Sequence, residues 1–136
     1  MSTTRIAGEW KLYVTTISHG DGELALGSQI EASLTVLVAN RAVVEAEFTL
    51  DGSTVPVKGR VRPGTPSVLT LEECDADGNT VSEGLETILY VPPWRPNIDY
   101  DFDILTGTIV LGANSALGSA DLKDRVMMLS GLQDAG

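Results

Sequence analysis

Gly8-Glu9-Trp10-Lys11-Leu12-Tyr13-Val14 is the stretch on which the fold reading turns. Trp10, Leu12 and Val14 fall on one face while Lys11, Tyr13 and Thr15 fall on the other, the period-two pattern of a half-buried strand that opens just after a glycine. The pattern continues downstream. Ile30, Ala32, Leu34, Val36 and Val38 alternate with Glu31, Ser33, Thr35 and Leu37, and after a compact Asn40-Arg41 turn Ala42, Val44, Ala46, Phe48 and Leu50 alternate with Val43, Glu45, Glu47 and Thr49. Asp51-Gly52 then supplies the two positive-φ residues of a tight hairpin, which predicts a further strand from Ser53 to Arg62 with Val55, Val57 and Val61 on one side. Pro56 marks an edge, a bulge or a missing ladder bond in that strand.

Strand five is expected at Ser67 to Glu72, followed by the hairpin loop Cys74-Asp75-Ala76-Asp77-Gly78-Asn79. Strand six is expected at Thr80 to Val91, with Leu85, Leu89 and Val91 opposed by Ile88 and Tyr90. The prolines of Pro92-Pro93-Trp94-Arg95-Pro96 stiffen one aromatic loop. Ile98, Tyr100, Phe102 and Ile104 then alternate with Asn97, Asp99, Asp101 and Asp103, a register that predicts the aromatic side inward because a one-residue slip would bury carboxylates. Thr106-Gly107 is read as a turn into strand eight, Thr108 to Gly112. Ser119 as a cap, Asp121 in a first turn and Leu122, Val126 and Leu129 at i, i+4 and i+7 before Gly131 predict a short C-terminal α-helix. The expectation is an all-β, eight-stranded antiparallel up-and-down β-barrel with that helix at its end, in a single domain spanning 1–136.

Composition narrows the function classes. Nine Lys+Arg against nineteen Asp+Glu give a net charge of −10, which repels nucleic-acid phosphates and anionic lipid, so neither nucleic acid nor membrane is an expected partner. Cys74 is the single cysteine, so no intramolecular disulfide or thiolate cluster forms, and the neighbouring Asp75 and Asp77 disfavour a thiolate. The first residues carry no apolar run of signal-peptide type, and no membrane-spanning run occurs, which makes the cytoplasm the expected compartment.

Gly8-Glu9-Trp10 resembles the Gly-x-Trp opening of the lipocalins and the wider calycin group, which includes the avidins. The resemblance implies an eight-stranded barrel in which Trp10 plugs the closed end and is structural rather than ligand-binding. In size, strand count and acidity the chain is also similar to small bacterial β-barrel cyclases of polyketide pathways. That likeness implies the enzymatic use of the same shape.

The residues carry little direct chemistry. His19 lies in a Gly/Asp loop that reads as a solvated turn, and Ser18 or Ser28 could join it in a triad only without any nucleophile-elbow motif. Asp75, Asp77, Asn79 and Glu86 match part of a calcium-loop spacing, but Thr80 stands where glycine is required, so a hairpin turn is expected and no metal or cofactor. Asp99, Asp101 and Asp103 read as a solvated strand face. What remains is aromatic: Tyr13, Phe48, Tyr90, Trp94, Tyr100 and Phe102 either fill the core or line a pocket for a hydrophobic small molecule. Tyr90, Tyr100, Glu83 and Glu86 are the candidates for a hydrogen bond or proton in a cofactor-independent cyclase or isomerase, which would work mainly by holding a flexible substrate in a reactive shape. The third reading is a protein-interaction or assembly module with a solid interior and a docking loop at Trp94, and a homodimer is compatible with all three.

Overall fold

The computed structural model describes residues 7–16, 29–39, 43–62, 64, 67–91, 102–117, 123 and 126–134. They form a closed antiparallel barrel in strict sequence order: β1 (Gly8–Thr16), β2 (Gln29–Ala39), β3 (Val44–Leu50), β4 (Ser53–Arg62), β5 (Ser67–Glu73), β6 (Leu85–Val91), β7 (Phe102–Leu111) and β8 (Val126–Asp134). β1 pairs with both β2 and β8, so neither is left as an open edge. The first five strands lie where the alternation places them, the sixth forms only over Leu85–Val91 of the expected Thr80–Val91, and β3 and β4 turn through Asp51 (φ 50°) and Gly52 (φ 82°), as the hairpin requires.

The interior is built from paired inward positions. Trp10 pairs with Leu34, Leu34 with Phe48 and Phe48 with Val55, and all four are buried. A second run passes through Val14, Leu129, Gly107, Leu89, Leu69 and Val61, also entirely buried. Because the strands of a closed barrel tilt, these runs wind obliquely through the core and tie the two ends together.

Three expectations need correction. The first is the Thr106-Gly107 turn: β7 runs straight through it, merging part of expected strand seven with strand eight. Gly107 is there for proximity, since a Cβ would stand 2.0 Å from the Ile88 carbonyl oxygen across the ladder. The second is the register of that strand. Leu105 and Ile109 point inward while Ile104 is 49% exposed, the opposite of the expected face, because β7 is held between β6 and β8 with Leu89 opposite Gly107 and Leu105 opposite Gly131. The remaining members of the expected face, Ile98 and Tyr100, and Asp99 and Asp101 beside them, lie outside the described residues.

The third correction concerns the C-terminal helix. Val126 to Asp134 is the eighth strand, with Met127, Leu129 and Gly131 inward and Val126, Met128 and Leu132 outward. Gly131 is not a helix stop: it lies in mid-strand, where a Cβ would meet the Leu12 side chain at 2.3 Å. Residues 118–122, where the expected helix would start, lie outside the described residues. A smaller departure occurs in β2, where the register shifts between Val36 and Val38 and turns both Leu37 and Val38 toward solvent.

Candidate functional site

Parity along the strands separates the aromatic candidates. Phe48 is fully buried in the core, as is Trp10, whereas Tyr13 and Tyr90 are 44% and 41% exposed on the outer wall. Tyr13 follows the outward position of Lys11 on β1, and Tyr90 follows Ile88 on β6; neither faces the interior. They therefore cannot form part of an interior pocket wall. Phe102 begins β7 with its side chain outside the described residues, and Trp94 and Tyr100 also lie outside them, as do His19, Ser18 and Ser28.

The inward side chains are close-packed. Most apolar residues pointing into the barrel, from Trp10 on β1 to Leu129 on β8, expose 0–6% of their surface, while Ile30 and Ala32 at the start of β2 are only partly buried. A ligand-sized cavity would leave its lining far more exposed, and an eight-stranded barrel is just wide enough for side chains to fill. Among the described residues the polar group in mid-core, Thr87, donates its hydroxyl to the Thr108 carbonyl at 2.7 Å across the β6–β7 ladder, so it offers no free donor to a ligand.

One end of the barrel is closed by a carboxylate that the sequence reading passed over. Glu73, 2% exposed, accepts hydrogen bonds from the Leu85 amide at 3.0 Å and the Ser115 hydroxyl at 2.6 Å on Oε1, and from the Ala116 amide at 3.0 Å on Oε2. These hold residues 112–117 over the end, where Leu117 is completely buried. Lys123 Nζ donates to the Ser115 and Leu117 carbonyls from the other side. The signal was available: Ser67, Leu69, Leu71 and Glu73 share a parity on β5, which places Glu73 inward. By contrast Glu83 and Glu86, the carboxylates singled out from sequence, are both exposed, and Glu83 contributes its carbonyl as acceptor for the Asn114 amide at 2.9 Å.

The Asp75 loop is a hairpin held by its own backbone. Asp75 Oδ1 accepts the amides of Asp77 and Asn79, each at 2.9 Å, and Lys58 Nζ reaches the Gly78 carbonyl at 2.6 Å. Cys74 beside it is buried, which pushes its thiol pKa up, with Lys58 acting in the opposite sense.

The outer wall has two distinct halves. On β2 to β4 it carries Glu31, Glu45 and Glu47 together with Lys58, Arg60 and Arg62. Among the described residues no helix is long and apolar enough to cross a membrane. On β7 and β8 the described outward side chains are Ile104, Thr106, Thr108 and Val110 beside Val126, Met128, Ser130 and Leu132, all uncharged; Asp134 ends β8 on the same parity, and Lys11 on β1, paired with Leu132, and Glu86 on β6, paired with Val110, bound the strip with charge. Ile88 and Tyr90 on β6 and Tyr13 on β1 extend this surface at its two sides, as the pairings of Tyr90 with Thr106 and of Tyr13 with Ser130 show.

Comparison with known protein families, with curated proteins and with solved structures finds no match to the chain. The fold and the site define a small closed antiparallel β-barrel, a shape compatible with the lipocalin and calycin type, with one uncharged outer wall.

Proposed function

We propose that this protein is a docking and assembly module that works through the outer wall of β7 and β8 rather than through its interior. The observation that carries the reading is the contrast between halves of one barrel: a charged wall on β2 to β4 and an uncharged, largely apolar one on β7 and β8. Met128, Ile104 and Leu132 each expose more than 40% of their surface there, although the alternating pattern of the same strands has inward places for apolar residues. Exposed apolar surface on such a scale marks an interaction face more often than chance.

The reading also accounts for the filled core. A hydrophobic ligand, or a polyketide-like substrate to be cyclised, would have to displace Trp10 or Phe48 to enter the described part of the barrel. Rigidity is what a docking scaffold needs, because a preformed surface loses little entropy when it binds. The Trp94 loop expected from sequence to dock a partner lies outside the described residues, and the wall takes that role here.

Photo-incorporation of bis-ANS into dilute protein, followed by peptide mapping, tests the assignment. Labelling should fall on the peptides carrying Ile104 to Val110 and Val126 to Leu132. Labelling on the peptides of Trp10 and Phe48, with the wall unlabelled, would overturn it in favour of an interior ligand site.

A further inference from the structure

We infer that the partner that covers this wall is a second copy of the same chain, seated by a two-fold axis that runs along the seam between β7 and β8. The inference rests on the docking reading above and adds the identity and geometry of the partner.

Charge is the first reason. Two copies of a chain of net charge −10 repel wherever their carboxylates approach, and the seam between β7 and β8 is where they can meet over eight uncharged side chains, with Lys11 and Glu86 only at its flanks. A strongly basic partner would instead be drawn to the acidic side chains elsewhere on the barrel.

Self-complementarity is the second reason. A two-fold contact places the same patch on both partners, so the patch must match its own image. With the axis along the seam, each outward residue of β7 faces the β8 residue with which it already pairs, now on the other copy. The pairs are Ile104 with Leu132, Thr106 with Ser130, Thr108 with Met128 and Val110 with Val126. Apolar ends of the patch therefore meet apolar ends. The hydroxyl-bearing centre meets itself, leaving small side chains where the two convex barrels come nearest and room for Met128 to lie across Thr108.

Area sets the strength. Seven residues at ~3.3 Å rise and four strands at ~4.8 Å spacing give a wall of at most roughly 23 by 19 Å, or about 440 Å² in projection, with Lys11 and Glu86 at two of its corners. That is well under the ~800 Å² per partner of a standard stable interface, so the dimer is expected to be weak and to form in the micromolar range or above. Tyr13 and Tyr90 flank the seam and set its rim.

Sedimentation equilibrium of the full chain from micromolar to millimolar concentration tests this directly, with thermal melts confirming that each variant folds. The wild type should pass from monomer to dimer. Met128→Lys and Thr108→Glu should each weaken association by about tenfold or more, because each brings an unpaired charge into the seam. An equimolar mixture of the two single variants should recover most of the wild-type affinity, since the new cation of one copy then faces the new carboxylate of the other across the axis, whereas neither chain alone holds both charges.

A wild type that stays monomeric throughout, single variants that dimerise like the wild type, or a mixture of the two variants no better than either alone would overturn the inference. Those results would leave the docking assignment standing if bis-ANS still labels β7 and β8. Labelling confined to the interior would remove the docking assignment as well.

Discussion

Replacing Glu73 is the sharpest test of how the barrel end is closed. The carboxylate gathers three donors, the Leu85 and Ala116 amides and the Ser115 hydroxyl, at 2.6–3.0 Å in a site only 2% exposed. Hydrogen bonds to a charged acceptor contribute about 1.5–3 kcal/mol each, but the three share one side chain and are not additive. In Glu73→Ala the amides of Leu85 and Ala116 lose their acceptor at once, while the Ser115 hydroxyl can rotate toward another and water can enter the vacated space. The expected loss is therefore about 3–5 kcal/mol rather than the full sum. Glu73→Gln keeps an oxygen for Leu85 and Ser115 and turns an NH2 toward the Ala116 amide, so it should cost about 1–3 kcal/mol.

Urea denaturation reads both values. With a slope near 2 kcal/mol per molar, Glu73→Ala should lower the midpoint by roughly 2 M with the slope unchanged. Amide exchange should accelerate most at Ala116 and Leu117, where the pin is lost. Two variants within about 0.5 kcal/mol of the wild type, or a glutamine variant as damaging as the alanine one, would refute the assignment of Glu73 as the pin.

Three further outcomes follow from the same geometry. Phe48→Ala should cost about 3–5 kcal/mol in denaturant titration if the core is solid, and under about 1 kcal/mol if Phe48 instead borders an open pocket. Gly107→Ala should destabilise by about 3 kcal/mol, at the upper end of overpacking, because the new Cβ meets the Ile88 carbonyl oxygen at 2.0 Å and both partners are backbone; a neutral melt would contradict the strand geometry. Cys74, whose thiol pKa is raised chiefly by burial, should react with DTNB far more slowly in the native than in the urea-unfolded protein at pH 8. Since its folded pKa lies above the unfolded value of about 8.5, its contribution to stability is complete below that pH and declines above it, so Cys74→Ala should flatten the alkaline loss of stability.

How far the site was legible depends on which forces each residue answers to. The inward set on β3, β4 and β5 follows from alternation alone, because each of these strands pairs with neighbours close in sequence through short connections. Glu73 belongs to that readable set, since it shares the inward parity of Ser67, Leu69 and Leu71 on β5. The uncharged wall could not be seen, since it is assembled from β7 and β8, the two elements whose register and type were misread.

The amino-acid sequence by itself determined a β-barrel chain, its first five strands, the Asp51-Gly52 hairpin and the burial of Trp10, because these depend on two-residue periodicity and local turn chemistry. The count of eight holds only because the merging of two expected strands into β7 is offset by a strand where a helix is expected. Leu122, Val126 and Leu129 satisfy a helical spacing, yet Met127, Leu129 and Gly131 satisfy a strand spacing equally well. Local pattern had no means of choosing between them. Tertiary structure decided it: β1 and β7 each present an unpaired row of backbone amides and carbonyls, and only an eighth strand drawn from Val126–Asp134 satisfies both rows and closes the barrel. That closure also reversed the faces of β7, and in doing so it turned Ile104, Met128 and Leu132 outward onto the wall from which the proposed assembly is built.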